Sequence, residues 1–230
     1  MLNLISAALK SAPEEFWLQK IQSDFGISCH PKEPGEALDP ILLRQTYQIL
    51  SQMTPALVKA TGVKDLFYSN RMGPNQPYFP NHGLYIDHTV TLNSDIFYHP
   101  DIQDDFFDDR GYFLSRPSGT LIHELGHATD DVLGLLSEKP EWLQLSGWSQ
   151  TPKPGLRRLI INDPRAPSPV IGEWFYKPTA AFTRFYARRN PWDDWADSYA
   201  FYVGGLKDKV PPEKRKYFDH LLGKYFKKKK

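Results

Sequence analysis

The chain has 230 residues, 40% of them hydrophobic and 24% charged, which argues against a disordered or membrane-spanning polypeptide and suits one domain of generous size or two small ones. A formal charge of +1, from 28 basic against 27 acidic side chains, provides no global field to draw in nucleic acid or an anionic bilayer. The balance is uneven: residues 205–230 carry 10 Lys and Arg against 3 Asp and Glu, so an acidic body ends in a basic tail.

The first residues, MLNLISAALKSAPEE, read as an amphipathic helix and not as a signal peptide, because no basic residue precedes the apolar stretch and Lys10 interrupts it. A cytoplasmic protein, or one secreted without a leader, is expected, with no membrane span since no apolar run approaches about 20 residues. Residues 14–23 and 41–60 have apolar positions at helical spacing, with Pro55 set to end or kink the second. The single cysteine, Cys29, has no internal disulfide partner. Residues 70–83 form a loop rich in Asn, Pro and Gly. Leu84–Leu92 alternates as a strand does, with Asp87 and His88 as a place for a turn.

The aspartate run Asp101–Asp109 lacks the Gly and terminal Glu of a calcium-binding EF-hand loop and reads as solvated. A helix follows from about Ser118, a suitable N-cap, to a stop at Gly134. Residues 147–178, with six prolines, read as long connections holding a short strand at Leu159–Asn162. From Pro178 to Gly205 the pattern is helical again, interrupted near Asn190 and Pro191. The whole reads as one α+β domain without an internal repeat: a helical part to residue 80, a core over 84–204, and a basic helix and tail over 205–230.

Residues 123–127 read His-Glu-Leu-Gly-His, an H-E-x-x-H pattern inside the expected helix. Positions i and i+4 project from one helix face, so His123 and His127 can reach one ion, and Glu124 flanks the water that the ion acidifies. Neutral imidazoles bind Zn2+ without cancelling its charge, and the carboxylate takes up the proton. Gly126, costly to a helix, permits close approach by another element. Asp130 and Asp131 share this helix and cannot readily complete a tetrahedron, and Leu133 stands where an extended H-E-x-x-H-x-x-G-x-x-H motif would need its third histidine.

Pro191–Val203 reads as a second helix, with Pro at its first turn and acids at its positive end. On a helical wheel Trp192, Trp195, Ala196, Tyr199, Ala200, Tyr202 and Val203 form the buried stripe. Asp193 and Asp197 lie side by side at its edge, and Asp194 and Ser198 point to the opposite face. Asp193 is thus a candidate third ligand, with Asp197 placed to hold a ligating histidine through its other ring nitrogen. The same acids would also suit a solvated helix start.

Three stretches, HELGHATDD, Tyr186-Ala-Arg-Arg-Asn190 and DDWADSYA, resemble the gluzincin zinc peptidases that include the anthrax lethal factor catalytic domain and the Pro-Pro endopeptidases. The resemblance implies a zincin-like fold, mainly helical with a small mixed sheet. Carried over, it makes Asp193 the third zinc ligand, Asp197 the acid that supports the ligands from behind, and Tyr186, seven residues before the ligand, the donor to the developing oxyanion. The family has glutamates where this chain has both aspartates, so the second helix must lie closer to the metal, or Asp194 or Asp197 takes the ligand's place. The resemblance also implies that the strand before the active-site helix, Thr89, Val90, Thr91, Leu92 and Asn93, is the sheet edge that pairs with an extended peptide.

The expected function is hydrolysis of peptide bonds by a monomer, with Zn2+ as cofactor and a protein or peptide as substrate. The aromatic cluster Trp142, Trp148, Trp174, Phe175 and Tyr176 belongs either to the core or to a groove suited to apolar or proline-containing peptides. A basic tail ending in four lysines reads as a solvated end, or as a contact for an acidic surface. Two other classes stay open: a catalytically silent zinc-stabilised binding module, and a zinc hydrolase of a non-protein amide.

Overall fold

The computed structural model describes residues 12–31, 33, 35–69, 83–98, 114–157 and 174–226. The start at 1–11, most of the loop at 70–82, the aspartate run 101–109, the strand expected at Leu159–Asn162 and the tail at 227–230 lie outside them.

Helix ends follow local chemistry. Helix α1, Glu14–Phe25, buries Trp17, Ile21 and Phe25 one turn apart and stops at Gly26, whose φ of 77° is the left-handed conformation that favours glycine. The segment expected over 41–60 is two helices. In α2, Pro40–Leu50, the Asp39 side chain accepts from the Ile41 N–H, and in α3, Pro55–Ala60, Thr54 accepts from Leu57. Pro55 therefore opens a new helix at a position where no backbone donor is missed.

Among the described residues, four strands form a mixed sheet in the order β1-β2-β4-β3: β1 Ser28–Pro31, β2 Asp65–Ser69, β3 Gly83–Ile86 and β4 Thr89–Asn93. Strands β1, β2 and β4 run parallel, and β3 is antiparallel to β4. The part before residue 80 is thus not purely helical, since it supplies two of these strands. The expected strand at 84–92 is a hairpin. Asp87 and His88 both take positive φ, 46° and 63°, as a tight two-residue turn requires. Cys29, Leu66, Tyr68, Val90 and Leu92 are buried, whereas Leu84 and Ile86 are exposed on the opposite face. Cys29 packs beside Tyr68 and burial pushes its thiol up to about 12, which makes it an inert core residue.

After the short helix α4, Asp95–Tyr98, comes α5, Arg116–Val132, which carries the H-E-x-x-H residues. It starts earlier than expected, so Ser118 is an interior residue, and it ends as anticipated before Gly134, at φ 85°. Helix α6, Pro140–Ser146, and a two-stranded ribbon of β5, Trp148–Ser149, and β6, Phe175–Tyr176, lead to α7, Pro191–Val203. Between Pro178 and Asn190 the expected helix is only a 3-10 turn at Tyr186–Arg188. Helix α8, Pro212–Phe226, follows. Trp142, Trp148 and Trp174 are buried, which settles their place as core, whereas Phe175 and Tyr176 are half-buried.

Helices α5 and α7 meet at Gly126. A Cβ built there would lie 3.0 Å from Ala196 Cα and 3.2 Å from Ala196 O, so the glycine makes the close approach possible. The face of α7 that carries Asp194 and Ser198 is buried too. Lys214 of α8 donates to Asp194 Oδ1 at 2.5 Å, Trp148 Nε1 donates to Asp194 Oδ2 at 3.0 Å, and Thr183 meets Ser198 at 3.0 Å. Burial raises the Asp194 carboxyl and lowers the Lys214 ammonium, each opposed by the other. Gly126→Val should force the helices apart and cost about 1–3 kcal/mol in urea denaturation, as overpacking does. Unchanged stability would show that the two helices do not touch there.

Candidate active site

Helix α5 places His123 and His127 one turn apart, with their Nε2 atoms 3.0 Å from each other. Helix α7 brings Asp193 to both: its Oδ1 lies 3.7 Å from His123 Nε2 and 3.6 Å from His127 Nε2. The three ligand atoms fall within 4.8 Å of one another and form a group able to hold a metal ion. Asn190 sets the carboxylate, accepting from the Asp193 backbone N–H at 2.7 Å and donating through Nδ2 to Oδ2 at 2.7 Å. That leaves Oδ1 turned to the imidazoles. Burial would raise the Asp193 carboxyl, but His127, Arg189 and His123 outweigh it and hold it down at about 2.

Asp197, fully buried, sits behind the first histidine, with Oδ1 2.7 Å from His123 Nδ1. With the Nδ1 proton directed to this carboxylate, Nε2 presents its lone pair toward Asp193 and His127. The arrangement fits a cation: in their neutral form the two imidazoles offer Nε2 lone pairs that, with an ionised Asp193 oxygen, face one point. Of the aspartates weighed as ligands, Asp193 reaches the histidines, Asp197 supports one of them, and Asp194 faces Lys214 on the other side of α7. Asp130 caps the turn at Ser137, and Asp131 accepts from the Tyr85 hydroxyl at 2.7 Å.

Glu124 is buried beside the histidines, and burial raises its carboxyl above the ordinary range against the lowering influence of His123 and His127. Strand β3 packs directly on it. A Cβ at Gly83 would lie 2.7 Å from Glu124 Cγ and 2.8 Å from its Oε1. Tyr186 stands across the group, its ring 5.9 Å from that of His123. Burial raises its phenol, with Asp193 adding to the effect. Arg189 donates through Nη1 to the Tyr186 hydroxyl.

The expectation for Thr89, Val90, Thr91, Leu92 and Asn93 is corrected. Strand β4 pairs with β2 on one side and β3 on the other, so its main-chain groups are taken and it is not an edge. Among the described residues the edge nearest the motif helix is β3, Gly83–Ile86. Gly83, Tyr85, Arg184, Arg189 and Asn190 belong to this site without having been singled out from the sequence. Only Asn190, preceding Pro191 at a helix start, carried a local signal for its capping role.

No protein-family model matches the chain, and no curated protein matches it. Among solved structures, the chain is similar to the Pro-Pro endopeptidase PPEP-2 from Paenibacillus alvei at 15% sequence identity and a TM-score of 0.49, covering 89% of this chain and 99% of that one. Among the described residues no helix is long and apolar enough to cross a membrane.

Asp197→Asn should lower metal affinity by about 10–100-fold, the usual effect of losing a carboxylate behind a ligating histidine. Competition against a chromogenic chelator measures it, and unaltered affinity would remove Asp197 from the metal site.

Proposed function

We propose that the chain is a zinc-dependent endopeptidase of the gluzincin type. One observation carries the reading: two imidazole nitrogens and one aspartate oxygen converge beside a buried glutamate, and a half-buried tyrosine packs its ring against that of His123. A set of two histidines and one carboxylate, with room for a further ligand, is the donor set of catalytic zinc. Bound there by His123, His127 and Asp193, the ion supplies Lewis acidity toward a water and a carbonyl oxygen.

The chain's own residues do the rest. Glu124, its carboxyl raised by burial, accepts the proton of the attacking water and passes it to the departing amine. Its position depends on strand β3, where the absence of a side chain at Gly83 leaves room for it. Tyr186 directs its O–H at the carbonyl oxygen, where negative charge develops as the tetrahedral species forms. An extended peptide adds to the side of β3 that pairs with no strand among the described residues, with main-chain hydrogen bonds that are indifferent to sequence.

Digestion of a peptide library by the zinc-supplemented protein tests the activity. Glu124→Gln should retain metal and lose turnover, and peptide hydrolysis at the parent rate in that variant would sink the reading. Tyr186→Phe should slow turnover by about 10²–10³-fold, as loss of a transition-state hydrogen-bond donor does. Gly83→Ala should reduce turnover with metal content intact, because the added methyl displaces Glu124 and leaves the ligands alone. An unchanged rate would mean that the β3 contact does not hold the base.

A further inference from the structure

Tyr186 is held by more than burial. The Arg184 Cζ lies 4.6 Å and the Arg189 Cζ 4.5 Å from the centroid of its ring, so two guanidiniums attend one phenol. Each is also tied to an acid of α7. Arg184, itself buried, donates to Asp197 Oδ1 at 2.6 Å, and that oxygen is also the partner of His123 Nδ1. Arg189 Nε lies 3.7 Å from Asp193 Oδ2, the oxygen turned away from the histidines, while its Nη1 donates to the Tyr186 hydroxyl.

A phenol has one proton to give and an oxygen that also accepts. When a fixed cation donates to that oxygen, the proton must point elsewhere, and the positive charge makes it a stronger donor. We propose that Arg189 is a positioning residue for Tyr186: it occupies the accepting side of the phenol oxygen and turns the O–H toward the scissile carbonyl, with Arg184 attending the same ring. This inference rests on the hydrolytic reading given above. A purely structural Arg189 would neutralise Asp193 and leave the tyrosine's contribution unaltered.

The test uses the zinc-supplemented protein and three variants, Arg189→Ala, Tyr186→Phe and the two combined. Arg189→Ala should lower kcat by about 10–100-fold, the worth of one hydrogen bond to a charged group, with KM within about twofold, as for an interaction made only in the transition state. Added guanidinium ion should restore part of the rate. Because Arg189 acts through the hydroxyl, the combined variant should be no slower than Tyr186→Phe alone. Full additivity of the two losses would overturn the proposal, as would a change in KM alone.

A measurement free of turnover accompanies these rates. In protein labelled with 13C at the tyrosine Cζ, the resonance that vanishes in Tyr186→Phe should move in Arg189→Ala and return toward its place with guanidinium. An unmoved resonance would overturn the hydrogen bond itself. If the parent protein and Glu124→Gln prove equally inert toward peptides, the hydrolytic reading fails, and the carbon resonance still decides whether Arg189 holds the phenol.

Discussion

The contact of Gly126 with Ala196 is the constraint on which the centre depends. Two helices distant in sequence must come together closely enough for an aspartate to reach two histidines, and a side chain at residue 126 would stand in the way. The short reach of Asp193 makes the requirement sharper than it would be for a glutamate. Glycine in a helix interior is unfavourable by about 1 kcal/mol relative to alanine, so the residue weakens α5 locally while permitting the approach that assembles the site. The same closeness brings Asp197 onto the far nitrogen of His123. One helix crossing thus brings Asp193 to the histidine pair and Asp197 to the far side of His123.

Around that crossing the charges are organised in layers. Asp193 and Asp197 face the histidines on one side and two arginines on the other. Buried acids of this kind are tolerated because each finds partners of opposite sign or hydrogen-bond donors. Tyr186 sits among the arginines, its ring beside both guanidiniums. Glu124 is treated differently: its neighbours are the imidazoles and a strand backbone, and burial dominates, which is the environment that moves a carboxyl toward the range of a proton carrier.

The two helices of the site were legible in the sequence for physical reasons. In α7, Asn190 and Pro191 mark the start so strongly that both boundaries are found, and the periodicity separates Asp193 and Asp197 from Asp194. In α5 the paired histidines share a helix with Leu121, Ile122, Leu125 and Ala128, all buried. What local pattern does not carry is which surface lies against which. The face of Asp194 was distinguishable from that of Asp193, yet nothing nearby in the sequence announced that Lys214 would cover it. Strands β1 and β2 escaped notice because they are short and pair in parallel with distant partners, without the turn signal of a hairpin. That parallel pairing also encloses β4, so strand order, which sequence spacing does not encode, decided that β3 and not Thr89–Asn93 forms the margin.

The Lys214–Asp194 pair adds a temporal dimension. Asp194 immediately follows the aspartate that faces the histidines, and its counter-ion comes from a helix made later in synthesis. Until that lysine has emerged and docked, the Asp194 carboxylate lacks its counter-ion, and closing this face of α7 over it would leave a buried charge unpaired. Closure of α7 around the aspartate that faces the histidines therefore waits on a segment that supplies none of the residues gathered there.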